Sequence, residues 1–181
     1  MTISLHTASV PVFCRYLRQL DGMLAKAALH ARTGPGAEAA LLAARLAPGM
    51  FPLRQQISTA VGFALRACAP VVGCDVPAMP AEDADFAALQ VRVRFVLDWL
   101  AALSPDAIEA GAMRPVTTVA GQATHTLAGA DFLLQYALPN FFFHLGMVYA
   151  ILRAQGVPIG KPDFDGFHAY APGFCFPETA Q

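Results

Sequence analysis

The sequence predicts an all-α four-helix bundle with a small β-hairpin inserted before the last helix. Three stretches repeat apolar residues every three or four positions, the seam of a helix that packs along one face. A fourth, from Asp131 to Gln155, is apolar around most of its circumference and carries no Asp, Glu, Lys or Arg between Phe132 and Leu152. Between the third and fourth lie two β-branched runs around a glycine, the signature of a hairpin.

The first long helix covers Ser9 to Ala31, with Val10, Phe13, Leu17, Leu20, Leu24 and Ala27 on its seam and Arg15, Arg18, Gln19 and Lys26 off it. Thr33 to Gly36 breaks it. A short helical piece, Ala37 to Ala44, leads to a turn at Pro48 and Gly49. Pro52 then suits the opening of a second long helix, because its missing N–H would have had no partner there. Leu53, Ile57, Val61, Leu65 and Cys68 form its stripe, Arg54, Gln55, Ser58 and Arg66 its wetter side, and Pro70 its expected end. Val71 to Pro80 reads as an extended connection. The third long helix is capped by Asp83 or Asp85, buries Phe86, Leu89, Val93, Leu97 and Leu100, holds Trp99 at the core edge, and closes at Ser104-Pro105.

Val116 to Leu127 is the hairpin, placed as a lid or brace at one end of the bundle. The fourth helix follows, and its all-round apolar character places it centrally. Residues 1–167 make one domain, and 168–181 form a tail rich in Pro and aromatics. Phe164, Phe167, Tyr170, Phe174 and Phe176 are available to pack on the bundle or on a partner subunit.

Composition narrows the function classes. Charged residues are 14% of the 181, against roughly 25% in ordinary soluble domains, while apolar residues reach 56% and mean hydropathy is +0.47. Much of the surface is therefore expected to be covered, and a homodimer is the leading expectation for how. Net charge is −1, with no basic cluster interleaved with aromatics, which argues against nucleic acid. Gln135, Asn140, Pro139 and His144 argue against a membrane span in the fourth helix. The N-terminus lacks a signal-peptide pattern, and Cys14, Cys68, Cys74 and Cys175 show no CxxC spacing. The expectation is a cytoplasmic protein with reduced thiols that act as small buried hydrophobes.

Bundle proteins build their sites from side chains projecting inward from facing helices. Asn140 and His144 are four apart on one helical face, which makes them the leading pair. His144 is open to two readings: a core histidine satisfied by a hydrogen bond, or a metal ligand through neutral imidazole. Asn140 either contributes to a ligand site or satisfies backbone groups that Pro139 frees. Gln55 and Gln56 open the second helix, where one faces inward, and Gln55 is taken as the site residue. Tyr149 offers a hydroxyl donor or fills core space. Arg45, in RLAPGMFP, either binds an anion or makes a structural ion pair. No HxxxH, HExxH, Ser-His-Asp order or glycine-rich phosphate loop is present.

The combination of SVPVF near the start, RLAPGMFPL entering the second helix, LPNFFFH in the fourth, and YAILRAQGVPIGKPDF after it resembles an uncharacterised bacterial family of the DinB-like superfamily. The resemblance covers Met1 to Phe167. It implies an up-down-down-up bundle, frequent dimers and, in many members, a divalent metal held by three histidines, two of them as HxxxH on the last helix. Some members resemble thiol-dependent transferases or isomerases. In this chain Asn140 and His144 take the HxxxH positions, and Arg54, Gln55 and Gln56 stand where the second helix would supply a histidine. The metal site is thus expected to be degenerate, with His144 its one matching ligand and Zn or Ni the candidate ion.

The leading functional expectation is a small apolar ligand held by Gln55, Asn140, His144, Tyr149 and Arg45 beside the last helix. The alternatives are a metal- or thiol-dependent transferase or isomerase using His144, and a non-catalytic structural or interaction protein.

Overall fold

Helix α1, Leu5–His30, buries the whole expected seam, from Val10 through Phe13, Leu17, Leu20 and Leu24 to Ala27. The computed structural model describes residues 3–33, 37–80, 82–171 and 174. The helix begins four residues before the expected Ser9, because the Ser4 hydroxyl accepts the Thr7 N–H at 3.1 Å and caps it. Pro11 and His6 therefore both lie inside α1.

Helix α2, Ala37–Ala43, is short. Helix α3, Leu53–Val72, runs through Pro70 rather than ending at it. A proline this close to a helix end removes one N–H, and the residues after it still find acceptors. The true stop is Gly73, whose φ of +80° lets its N–H reach the Ala69 carbonyl at 3.0 Å while the Cys74 N–H reaches the same oxygen.

Helix α4, Phe86–Ala101, has Asp85 as its cap, with Oδ1 accepting the Ala88 N–H at 2.7 Å. Its buried stripe passes through Val96 rather than Leu97, which is only half-buried, as is Trp99. Ser104-Pro105 does not merely close α4: it opens a further short helix, α5, Pro105–Ala110, since proline is preorganised for a first helical position. Strands β1, Pro115–Ala120, and β2, Ala123–Ala128, pair antiparallel, with Val116 opposite Leu127 and Ala120 opposite Ala123. The tight turn uses Gly121 at φ +61°.

The last long helix is built in three joined pieces: α6, Gly129–Asp131; a π-helical segment, Phe132–Ala137; and α7, Leu138–Ala154. It ends near Gly156, and helix α8, Lys161–Asp165, turns back onto α1. The Lys26 ammonium meets Asp163 at 2.8 Å, and Arg15 lies 4.0 Å over the Phe167 ring. With Phe164 packed on Tyr16 and Tyr149, the segment just before the tail covers its own bundle. Cys175 and Phe176 lie outside the described residues.

The four long helices form a ring in which α1 neighbours α4 and α7, while α3 neighbours α4 and α7. Their directions follow from side-chain meetings. Phe13 packs on Phe141 and Tyr16 on Phe142, so α1 and α7 run the same way. Gln56 meets His144 while Phe63 meets Tyr136, so α3 opposes α7. Asp21 pairs with Gln90 and Arg94 whereas His6 meets Glu109 beyond the far end of α4, so α4 opposes α1. The result is up-down-down-up.

The last helix is a ring member, and it is not enclosed on all sides: Leu134 and Phe143 are exposed on its outer face. Four helices around one core each keep an outside. Among the described residues, no helix is long and apolar enough to cross a membrane. Cys14 and Cys68 are buried, and burial pushes both thiols above their ordinary range, which keeps them protonated. Cys74 departs from the expected burial: it is exposed, just past the end of α3.

The hairpin is anchored by close backbone packing. A Cβ at Gly111 would lie 2.0 Å from the Val71 carbonyl oxygen, and one at Gly129 would lie 2.2 Å from the Gly111 oxygen. The Ala130 N–H also donates to the Ala112 carbonyl at 2.8 Å. Gly111→Ala should therefore destabilise the fold by about 1–3 kcal/mol, the usual cost of overpacking. At roughly 2–4 °C per kcal/mol for a chain of this size, thermal unfolding followed by circular dichroism would detect it. An unchanged midpoint would show that this backbone contact is dispensable.

Candidate functional site

Four buried polar residues stand among the described ones: Ser9, Gln56, His144 and Asp165. Two of them meet across the α3–α7 interface, where His144 Nδ1 lies 2.7 Å from Gln56 Oε1. An amide oxygen can only accept, so Nδ1 carries the proton and donates, leaving Nε2 with its lone pair. Phe51 and Phe63 lie nearly parallel to the imidazole at 6.2 and 5.7 Å, and Phe143 presents its edge at 5.2 Å. Burial lowers the His144 pKa from its ordinary 6.5, and the positive charge of Arg66 lowers it further. The neutral ring is the stable form.

The expected site residues do not gather at one place. Asn140 is half-buried four residues before His144, and its Nδ2 donates to the Tyr136 carbonyl at 2.8 Å. That bond caps a carbonyl one residue beyond Gln135, whose α-helical donor would have been the N–H that Pro139 lacks. The Asn140 side-chain oxygen keeps no protein partner among the described residues. Gln55 is exposed and donates to Thr59 Oγ1 at 3.2 Å, and it is Gln56 that faces inward. Tyr149 lies on another face, against Phe164 at 5.7 Å. Arg45 is exposed, and its Nη1 donates to the Met50 carbonyl, clipping the turn that holds Gly49 at φ +81°. That turn carries Phe51 to the imidazole, so the RLAPGMFPL and LPNFFFH motifs meet at His144.

The largest nearby cavity, about 610 Å³, lies beside this histidine without including it. One wall is α3, through Thr59, Phe63, Arg66 and Pro70; the opposite wall is Phe132, Tyr136 and Asn140. Strand β1 closes the top. Along β1, Val116, Thr118 and Ala120 are the more buried alternate residues, and Thr117 and Val119 face outward, as a two-residue period requires. Phe63 is shared: one neighbour is His144 and another is Tyr136, at 6.1 Å.

Arg66 stands at the rim with its guanidinium carbon 4.6 Å from the Phe63 ring centre. The guanidinium also passes beside Gly62, where an added Cβ would sit in ordinary contact, 3.7 Å from its Nη2. Desolvation lowers the Arg66 pKa, but a guanidinium starts so far above neutrality that it stays charged. Sequence periodicity marks Arg66 only as a residue on the wetter side of its helix. The spacing Gly62-Phe63-x-x-Arg66, which folds a cation over an aromatic within one turn, was the available signal.

The three-histidine arrangement implied by the resemblance does not fit here. Around His144 the donors are a neutral amide already bonded to Nδ1 and an asparagine committed to the helix backbone. Among the described residues, no group of three His, Cys, Asp or Glu side chains could hold a metal ion.

Residues 5–165 match the family model described as a domain of unknown function, DUF1993. The chain belongs to that family. A solved structure described as a DinB family member protein from Shewanella denitrificans is 29% identical to this DUF1993 chain, covers 92% of it and 94% of its own chain, and superposes with a TM-score of 0.79. No curated protein matches. This DUF1993 protein therefore has the DinB-like bundle that its motifs imply.

Two outcomes test the His144 environment. A buried histidine with a lowered folded pKa contributes stability that is complete above its unfolded value of 6.5 and is lost as pH falls below it. His144→Phe should flatten that part of the stability profile in urea titrations at stepped pH, and an unaltered slope would count against a neutral buried ring. Gln56→Leu strands a buried Nδ1–H and should cost about 1–3 kcal/mol. A fully stable Q56L protein would mean that water can replace the amide.

Proposed function

We propose that this DUF1993 protein binds a small, largely apolar ligand in the cavity between α3, the last helix and β1. The single observation behind this reading is the cavity's build. Its volume of about 610 Å³ falls within the roughly 300–1,000 Å³ usual for small-molecule sites. Phe63, Val116, Phe132 and Tyr136 give it apolar walls, and Thr59, Thr118 and Asn140 add a few polar groups that could fix orientation.

The binding group is thus drawn from Phe63, Thr118, Tyr136 and Asn140. His144 serves behind Phe63, where its stacking and its bond to Gln56 hold that wall in place. Tyr149 and Arg45 support the fold elsewhere, and Gln55 lies on the outer side of α3.

The test is a neutral fluorescent arylamine, N-phenylnaphthylamine, titrated into the natural protein and into Thr118→Trp. Saturable binding should weaken about tenfold or more, 1.4 kcal/mol per decade, when the indole fills the space beneath β1. The Thr118→Trp protein should keep its unfolding midpoint. Absence of saturable binding, or binding indifferent to the added indole, would sink the reading.

A further inference from the structure

We propose that the ligand of this cavity is an amphipathic anion, with an apolar body between Phe63, Phe132 and Tyr136 and a carboxylate or similar oxyanion paired with Arg66. This inference rests on the ligand-binding reading above and adds the charge that such a ligand carries.

The cavity is electrostatically one-sided. Among the described residues, Arg66 is its one charged lining group, and no Asp or Glu lines it. Two arginines of α4 are compensated by carboxylates, Arg92 by Asp83 and Arg94 by Asp21, each at 3.5 Å. Arg66 has no carboxylate partner among the described residues. Its guanidinium stacks on the Phe63 face instead. That contact uses the plane of the group and leaves its in-plane N–H donors free, and these are the donors that grip a carboxylate in a two-pronged fashion.

The surroundings favour such a pairing. The aromatic wall and the strand exclude part of the solvent around Arg66, which strengthens any charge pair formed there relative to one in open water. His144 is neutral and adds no competing charge. Thr59 and Asn140, on opposite walls, offer hydrogen bonds to an oxyanion's remaining oxygens or to a polar substituent. A strongly hydrated polyanion fits poorly, since most of the lining is apolar and one cation stands at the rim.

The experiment compares two probes that share one aromatic body: neutral N-phenylnaphthylamine and anilinonaphthalene sulfonate. The sulfonate should bind the natural protein more tightly by about tenfold or more at low salt. Arg66→Gln should bring the ratio of the two affinities towards unity, and Arg66→Lys, which retains the charge, should keep a preference for the sulfonate. Equal affinities in the natural protein, with neutral-probe binding still sensitive to Thr118→Trp, would overturn the anion while leaving the cavity reading in place. A sulfonate preference that survives Arg66→Gln would overturn it too, because the charge recognition would then lie elsewhere, as at the separate groove lined by Arg15 and Arg18. No saturable binding of either probe would overturn both readings.

Discussion

The hydrogen bond between Gln56 and His144 is the constraint on which the rest of the structure turns. The buried faces of α3 and α7 are otherwise almost wholly apolar, and apolar contacts alone are not directional. Two buried polar groups cannot slide apart without each losing its partner, and the desolvation cost of a lone buried polar group outweighs what improved apolar packing could return. The pair thus fixes the register of α3 against α7. From that register follow the meeting of Phe63 with Tyr136 and the position of Arg66 two turns and more beyond Gln56.

A cavity exists beside so dense a core because the last helix is not uniform. Six residues of π-helix widen it from Phe132 to Ala137, just before Pro139, and Phe132 and Tyr136 stack on each other along this stretch at 5.5 Å. Proline cannot donate to the helical ladder, which loosens the turn at its start, and the Asn140 side chain ties back to the Tyr136 carbonyl. The hairpin then has to bridge the gap between the two helices. Its base is fixed where Val71, Gly111 and Gly129 approach too closely for any side chain. A rigid base and a two-residue turn leave β1 as a roof, held at one end.

The legible and the illegible parts of this fold divide by physical cause. The seams of α1 and α3 are visible because burial writes itself into the sequence at helical spacing, and every predicted seam residue is buried. The hairpin is visible through Val116, Thr117, Thr118 and Val119, which face Leu127, Thr126, His125 and Thr124 across a glycine. Helix ends are less so: Pro70 looks like a stop, yet the stop is made by Gly73 in a left-handed conformation. The site is the least legible part. Gln55 and Gln56 are adjacent, and a difference of 100° around the helix decides which one meets His144. Arg45 and Tyr149 sit in chemically suggestive positions in the sequence, but the chain uses them to clip a turn and to pack α8. The importance of Arg66 is tertiary and so leaves little trace in the sequence: only when β1 is laid across α3 does an exposed helical arginine become the charge at the rim of a cavity.

The relation between Arg66 and His144 explains why the polar groups here differ from a metal-binding set. A cation near His144 disfavours a second positive charge at the imidazole, and burial acts in the same direction. A divalent ion at Nε2 would face that same repulsion, with no carboxylate supplied by the described residues to offset it. Gln56 can orient the ring but brings no charge, and Asn140 spends a donor on the backbone. The arrangement is self-consistent as a neutral polar clasp inside an aromatic cluster, with a single fixed cation outside it. The protein has placed one positive charge at the edge of an apolar space and kept the contact between Gln56 and His144 neutral.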